Sequence, residues 1–328
     1  MSGGAVRFSV VIPAYNAEGT LAETLDCVLG QTFSPHEVLV LDDGSTDTTP
    51  EILKDYAARD ARVRPFRTAN GGLARARNHL IARATGTHVA CVDADDLWHP
   101  RFLEAHARMI GAFPQAVAWF THHVDFVGSS SPEWAEDEGE DPGARARLYG
   151  EREFLKAYNK TPLLFHVSCF SISLELLRSM GLEPFNVAAS GSDDTFIHNR
   201  LTMHGPVVQT PERLGAYRIR EGSISSDQLR IAQIALKAFD ELAPLFAADA
   251  DPQLLADFHD AHAARQRHCG KFLMGLGRVA EARTLFRRSL TTSRSPRSLV
   301  KSAGLLASTA APRRLQPQWP GLERRLAA

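Results

Sequence analysis

Apolar runs that end in polar residues recur through the first hundred residues, and they limit the fold of this chain more than any other feature. Residues 8–13, 37–41 and 89–92 are rich in Val, Ile and Leu, and helix-like segments separate them. This alternation predicts an α/β fold with a mostly parallel sheet and right-handed crossovers. The polar residues that follow each run should then share one edge of the sheet, where open α/β sheets bind ligands.

The run at residues 89–92 continues directly into Asp93-Ala94-Asp95-Asp96. Three carboxylates this close together repel one another unless a cation lies among them. A hard divalent cation that bridges phosphate oxygens is the usual solution. A solvated acidic turn that caps the next helix is the alternative, and the cluster alone leaves both interpretations open.

The rest of the pattern predicts further strands and a helical C-terminal region. Strands are expected at residues 63–66, at a sheet edge, at 117–120 and over 165–172, with two short strands at 207–208 and 216–220. Helical spacing follows Trp98, and it dominates from residue 231 onwards. Residues 128–147 are rich in Gly, Pro, Ser and acids, which predicts a mobile loop.

Bulk properties exclude some classes of protein. The net charge of −1 gives no reason to expect a nucleic-acid partner. No apolar run is long enough to span a bilayer, and no signal peptide precedes the first strand. The four cysteines form no CxxC pair, so a reducing, cytoplasmic setting is expected.

Charge is concentrated at the C-terminal end, where residues 265–328 contain 14 Lys and Arg against two acids. A basic helical surface of this kind can approach an anionic membrane or an acidic partner. A solvated helical extension or a homodimer contact is the alternative.

Four motifs resemble, in order and spacing, those of inverting family 2 glycosyltransferases, and the likeness covers about residues 7–225. They are the run from Val10 to Asn16, Leu41-Asp42-Asp43-Gly44-Ser45-Thr46-Asp47, Asn70-Gly71-Gly72 with Ala76-Arg77-Asn78, and Asp93-Ala94-Asp95-Asp96. The resemblance implies a GT-A fold over residues 1–225: a mostly parallel mixed sheet flanked by helices. Residues 1–112 would form the nucleotide-binding half and 113–225 the acceptor half, followed by a helical region at 226–328.

The resemblance also implies which residues bind the donor. Asp43 matches the position that hydrogen bonds to the uracil edge, and Arg77 would lie near the base or ribose. Pro13, Ala14 and Tyr15 would offer backbone and ring contacts to the base. Structural alternatives exist for each: Asp-Gly turns are common, Tyr15 could be a packing residue, and Arg77 could be a solvated helical arginine.

The acidic turn takes its roles from the same resemblance. Asp95 matches the ligand of Mg²⁺ or Mn²⁺, and Asp93 would meet the ribose or a metal-bound water. Ala94 lies between them in the donor-binding turn. Asp96 would either contact the sugar or cap the following helix.

Residues in the second half complete the implied site. Asp194 matches the family's general base, and Asp193 stands before it where Glu is more usual. The segment from Tyr217 to Arg220 resembles a closing Tyr-Arg-x-His motif in which Arg220 replaces His. Arg218 and Arg220 would therefore bind the departing diphosphate.

The implied activity is an inverting, metal-dependent transfer of sugar from a UDP- or dTDP-sugar to a hydroxyl of a small-molecule, glycan or lipid-linked acceptor. The segment Gln266-Arg267-His268-Cys269 lacks the tryptophan of the processive synthases, so a single transfer is expected. A sugar-1-phosphate nucleotidyltransferase is an alternative, although its Gly-rich loop does not follow the first strand. A non-catalytic nucleotide-sugar-binding homologue is the other.

Overall fold

The computed structural model describes residues 5–128, 131–134, 145–161, 165–181, 183–187, 191, 193–220 and 227–310, with the backbone alone at Asp193. The chain divides into two compact units, Met1–Arg220 (the sheet unit) and Glu221–Ala328 (the helical unit). The border predicted at residue 225 and most of the loop predicted at 128–147 lie outside the described residues.

Within the described part of the chain, nine strands form one mixed sheet. The strands are β1 (Phe8–Ala14), β2 (Glu37–Asp42), β3 (Val63–Arg67), β4 (His88–Cys91), β5 (Leu97–Trp98), β6 (Ala118–Val127), β7 (Arg147–Tyr149), β8 (Phe170–Ser173) and β9 (Val207–Ile219). Their order in the sheet is β3-β2-β1-β4-β8-β6-β9-β5, with β7 paired to β9. Strands β1 to β4 run parallel to one another, whereas β8 is antiparallel to both β4 and β6.

Helices cover both faces of this sheet. Val10 and Ile12 belong to one buried cluster and Val11 to another, as the two-residue period of a strand requires. The helices of this unit are α1 (Leu21–Leu29), α2 (Thr49–Arg59), α3 (Leu73–Ile81), α4 (Phe102–Ala112), α5 (Glu151–Lys160), α6 (Leu174–Ser179) and α7 (Asp193–Leu201). The first cluster includes side chains of α1, α2 and α4, and the second includes side chains of α3, α5, α6 and α7.

Two local predictions differ from the structure. The strand predicted over residues 165–172 is instead a 3₁₀ turn, Val167–Cys169, followed by β8. The side chain of His166 accepts a hydrogen bond from the Ser168 amide, which favours the turn. The two short strands predicted after residue 206 are one continuous β9, because β5, β6 and β7 all pair with it. Strand β5 was not predicted, since two residues show no periodicity.

The helical unit has a core of its own. It contains α8 (Gln228–Asp249), α9 (Pro252–Gly275), α10 (Val279–Thr292) and α11 (Pro296–Ser308). A side chain at Gly270 would meet the Phe286 ring at 2.5 Å, so glycine allows α9 and α10 to approach closely. The predicted C-terminal helical extension is confirmed. Among the described residues, no helix combines the length and apolar character that crossing a bilayer needs.

Glu37, at the start of β2, ties the strands of the sheet unit together. Its buried carboxylate accepts hydrogen bonds from Ser9 of β1, Thr85 before β4 and Arg64 of β3. Burial alone would raise the pKa of Glu37, but these donors outweigh burial and lower the pKa below its ordinary 4.5. The folded state therefore favours the ionised carboxylate.

We expect Glu37→Gln to lower the free energy of unfolding by on the order of 2 kcal/mol at pH 7, because charged hydrogen bonds are lost. A carboxylate whose pKa is lower in the folded state stabilises the protein at pH values above its ordinary pKa. This contribution to stability is lost as the pH falls through the folded-state pKa. Urea unfolding should show a smaller difference in the free energy of unfolding between wild type and variant at pH 3.5 than at pH 6. Glu51→Gln, at an exposed position of α2, is the control; a gap that widens on acidification contradicts the prediction.

Candidate active site

The carboxyl ends of β1, β2 and β4 meet at one edge of the sheet. Ala14 is in register with Asp42, and the Asp43 amide donates to the Ala14 carbonyl at 2.8 Å. On the other side of β1, the Val92 amide donates to the Val11 carbonyl at 3.2 Å. The turn after β2 and the acidic turn after β4 therefore flank the end of β1, as the parallel pairing requires.

Asp43 holds the loop that leads into α3. Its two carboxylate oxygens accept from the Gly71 amide at 2.9 Å and the Gly72 amide at 2.8 Å. Gly72 has a φ of +86°, a backbone conformation that glycine adopts without strain. The carboxylate of Asp43 is thus fixed in direction, with lone pairs remaining for a further donor.

The three residues predicted to contact a base at the end of β1 have different surroundings. Pro13 and Ala14 are buried within the strand, whereas the Tyr15 side chain is 53% exposed. The next residue, Asn16, accepts from the Thr46 amide at 2.9 Å and joins this loop to the turn after β2. Tyr15 therefore presents a solvent-accessible ring on a fixed loop.

Arg77 is buried beneath this edge. Its side chain is 1% exposed, pairs with the carboxylate of Asp93, and lies 5.5 Å from the centre of the Phe185 ring. Asn78 holds Phe185 in place through hydrogen bonds of 2.7 and 3.0 Å to its backbone. The alternative of a solvated helical arginine is thus wrong, and Arg77 contacts the acidic turn directly.

Asp95 pairs with Arg220 at the surface. The Asp95 side chain is 23% exposed and the Arg220 side chain 48% exposed. Burial, with the negative charge of Asp93 nearby, raises the pKa of Asp95 although Arg220 opposes the shift. Burial and the charge of Asp93 therefore outweigh the effect of Arg220 on the pKa of Asp95.

Asp96 is buried and plays neither role expected for it. Its carboxylate accepts from the Ser168 hydroxyl at 2.6 Å and from the Arg218 amide at 3.0 Å. Burial, with the charges of Asp95 and Asp93, raises the pKa of Asp96 well above its usual range. Asp96 thus connects the acidic turn to β9 and to the 3₁₀ turn before β8.

Arg218 is buried and already bonded to protein oxygens. Its guanidinium donates to the Asp95 carbonyl at 2.7 Å, to the Gly128 carbonyl, and to the Glu23 carboxylate at 2.6 Å. It also lies 4.4 Å from the centre of the Phe126 ring. Of the two predicted diphosphate ligands, Arg220 is the one exposed to solvent.

Asp194 lies in the first turn of α7. Its carboxylate accepts from the Thr195 amide at 2.6 Å. The side chain of Asp193 lies outside the described residues. Residues 183–187 contact α3 through Phe185, whose carbonyl accepts from Asn78 and whose ring lies 5.5 Å from the Arg77 guanidinium.

The fit of a divalent cation rests on two carboxylates. Among the residues that the structure describes, no three His, Cys, Asp or Glu side chains are clustered as metal ligands. Asp93 and Asp95 are each about a quarter exposed, at 24% and 23%. Mg²⁺ is commonly bound by one or two carboxylates with substrate phosphates supplying other ligands, so this pair fits such a cation.

Two residues of this site had no signal in the sequence. Ser168 lies in an apolar segment that predicted a plain strand, yet its hydroxyl reaches the acidic turn. His166, beside it, has its pKa lowered to about 4 by burial and is neutral at physiological pH. The His166 Nδ1 atom lies 3.8 Å from the Asp96 carboxylate. The spacing of residues along the chain contains nothing that would place either residue beside the acidic turn.

Comparisons with known proteins agree on one family. The sequence profile described as Glycosyl transferase family 2 matches residues 9–179. EpsJ of Bacillus subtilis, an uncharacterized glycosyltransferase, is 47% identical over 88 residues, which are 27% of this chain and 26% of EpsJ. Glycosyltransferase GlyA of Streptococcus pneumoniae is 26% identical over 221 residues, 67% of this chain and 31% of GlyA. The chain thus spans about a quarter to a third of the length of these relatives.

Solved structures share the fold. TarS of S. aureus, residues 1–349 in complex with UDP-GlcNAc, superposes with a TM-score of 0.66 at 20% identity, covering 98% of this chain and 88% of that one. The mannosyltransferase PcManGT of Pyrobaculum calidifontis, in complex with GDP-Man and Mn²⁺, gives 0.55 at 21% identity, covering 99% and 86%. At such low identity the likeness concerns the fold alone.

We expect Arg77→Met to lower the free energy of unfolding by on the order of 2–3 kcal/mol, because Asp93 loses its buried partner but remains partly solvated. Arg75→Met, on the exposed side of the same helix, is the matched control and should change stability by less than about 0.5 kcal/mol. Urea unfolding of both variants measures the difference. Equal effects of the two substitutions would contradict the role assigned to the Arg77–Asp93 pair.

Proposed function

Because this chain belongs to glycosyl transferase family 2, we propose that it transfers a single sugar from a UDP- or dTDP-sugar to an acceptor hydroxyl, with inversion and with a divalent cation. Family membership makes the chain a glycosyltransferase, and the predicted GT-A fold is confirmed by its structural neighbours. One observation carries the proposal: the partly exposed carboxylates of Asp93 and Asp95 lie at the sheet edge beside the end of β1.

The nucleotide is assigned to the loops after β1 and β2. The exposed ring of Tyr15 offers a flat apolar surface to a base, and Pro13 and Ala14 provide the backbone that positions it. The carboxylate of Asp43, fixed by Gly71 and Gly72, can accept from a base N–H such as that of uracil or thymine. The neighbour structures with UDP-GlcNAc and GDP-Man support a nucleotide-sugar donor.

The diphosphate is assigned to the acidic turn. Asp95 and Asp93 would hold Mg²⁺ or Mn²⁺, with the backbone of Ala94 between them. When bound, the cation offsets the charge that grows on the departing diphosphate. The Mn²⁺ complex of PcManGT supports this cofactor. Arg220, half exposed beside Asp95, can pair with diphosphate oxygens, whereas buried Arg77 and Arg218 act by holding Asp93 and the Asp95 backbone.

The transfer itself needs a base. Asp194 takes the proton of the acceptor hydroxyl, and the hydroxyl oxygen forms a bond to the anomeric carbon. The bond from that carbon to the diphosphate breaks in the same step, so the nucleoside diphosphate leaves and the configuration inverts. Asp193, the preceding acid, is assigned to the sugar side of the donor.

The acceptor is a hydroxyl-bearing small molecule, glycan or lipid-linked compound. Residues 282–310 contain six Lys and Arg and no Asp or Glu, which supports contact of the helical unit with an anionic membrane surface. A homodimer formed through the helical unit is the alternative. All four cysteines are free, which supports a reducing, cytoplasmic location.

We expect Asp194→Asn to lower kcat by about 10²–10⁴-fold, because the amide cannot take the hydroxyl proton. Donor binding should persist, since Asp194 does not hold the nucleotide. Release of nucleoside diphosphate with a matching acceptor measures kcat, and isothermal titration with the donor measures binding. Asp55→Asn, exposed on α2, is the control. Full activity of Asp194→Asn would remove this residue as the base.

A thermal-shift panel of UDP-, dTDP- and GDP-sugars, each with and without Mn²⁺, tests the donor. A donor at about 100 times its Kd stabilises the folded state by roughly 2.7 kcal/mol, a shift of several degrees. We expect a UDP- or dTDP-sugar to give that shift only with Mn²⁺, and Asp95→Asn to lose the Mn²⁺-dependent part. A shift with GDP-sugars alone would overturn the nucleotide assignment, and a shift without Mn²⁺ would overturn the cation.

A further inference from the structure

The backbone of the acidic turn is fixed at three consecutive residues by side chains from distant parts of the chain. The Asp93 amide donates to the Ser168 hydroxyl at 3.1 Å. The Ala94 carbonyl accepts from the Thr20 hydroxyl at 2.8 Å. The Asp95 carbonyl accepts from Arg218 at 2.7 Å. Each of these three residues thus has one backbone group bonded to a side chain outside the turn.

Ser168 has a central place among these contacts. While its hydroxyl accepts from the Asp93 amide, it donates to the Asp96 carboxylate at 2.6 Å. Its own carbonyl accepts from the Trp98 indole at 2.6 Å. Its hydroxyl and its carbonyl therefore make three hydrogen bonds to residues 93–98, which lie 70 to 75 positions earlier in the chain.

Thr20 acts from the opposite side of the turn. It occupies the N-cap position of α1, where threonine commonly bonds to its own helix, but its side chain makes no capping hydrogen bond there. Its hydroxyl bonds instead to the carbonyl of Ala94. The residue is thus used to fix the turn and not the helix.

None of these partners binds the carboxylate groups of Asp93 or Asp95, which stay about a quarter exposed at 24% and 23%. We propose that Ser168 and Thr20, together with Arg218, are positioning residues that hold these two carboxylates at the spacing a divalent cation requires. Mg²⁺ demands near-ideal geometry, so a turn free to shift loses affinity for it. This inference rests on the proposed function.

Ser168→Ala and Thr20→Val each remove one hydroxyl that holds the turn while leaving both carboxylates in place. We expect either substitution to raise the Kd for Mn²⁺, measured by calorimetry in the presence of UDP, by about tenfold, as loss of groups that orient metal ligands does. The Mn²⁺ concentration for half-maximal activity should rise in parallel, while kcat at saturating Mn²⁺ changes less.

Ser171→Ala is the matched control. Ser171 is buried three residues along the chain, and its hydroxyl bonds to His106 at 2.7 Å, away from the turn. We expect Ser171→Ala to lower the free energy of unfolding about as much as Ser168→Ala does, but to leave the Kd for Mn²⁺ unchanged. A purely structural defect does not change that Kd.

The outcomes separate this inference from the function on which it rests. Wild-type protein that binds no Mn²⁺ with UDP overturns the cation and this inference together. Wild-type binding with an unchanged Kd in folded Ser168→Ala and Thr20→Val overturns the positioning role alone. The Thr20 hydroxyl is only partly buried. If Ser168→Ala does not fold, the same measurement on Thr20→Val therefore decides the question.

Discussion

The structure depends on how three carboxylates are accommodated at the end of one buried strand. Like charges this close would oppose folding unless each had its own compensation. Asp93 has the buried Arg77, Asp95 has the half-exposed Arg220, and Asp96 has hydrogen bonds in the interior. Removing one partner of a buried ion pair lowers the stability of the fold by more than the intact pair contributes to it. The acids and their partners therefore depend on one another.

The three acids differ in what they can do because they differ in exposure. The fully buried Asp96 is part of the scaffold, whereas Asp93 and Asp95 keep access to solvent. Arg220 is the partner most able to exchange Asp95 for phosphate oxygens, since exposed ion pairs contribute little to stability. Burial therefore divides one acidic motif into a supporting residue and two residues open to ligands.

The sheet unit likewise separates a packed interior from the loops at one edge of the sheet. Parallel pairing of β1 with β2 and β4 brings the loops of three strands to one edge, and helices pack on both faces of the sheet. A packed sheet with loops at its edge is suited to hold a nucleotide and a diphosphate in fixed relation. The helical unit has its own core and supplies a basic surface instead.

Much of the fold was predictable because burial leaves a periodic trace in the sequence. The runs of Val, Ile and Leu identified β1, β2 and β4, and their order along the chain identified the parallel sheet. The edge strand β3 and the helix α4 were identified in the same way. Short or irregular elements were not: β5 has two residues, and the 3₁₀ turn at Val167–Cys169 lies within an apolar run that reads as a strand.

The sequence by itself determined which acidic and basic residues stand at the ends of the strands, and its motifs indicated the family. Only the tertiary structure decided what each does: that Asp96 is buried, that Arg77 lies under Asp93, and that Ser168 holds the turn. The reason is physical. Periodicity records whether a side chain is buried, but the partner of a hydroxyl 75 residues away depends on strand order and register, which no local pattern encodes.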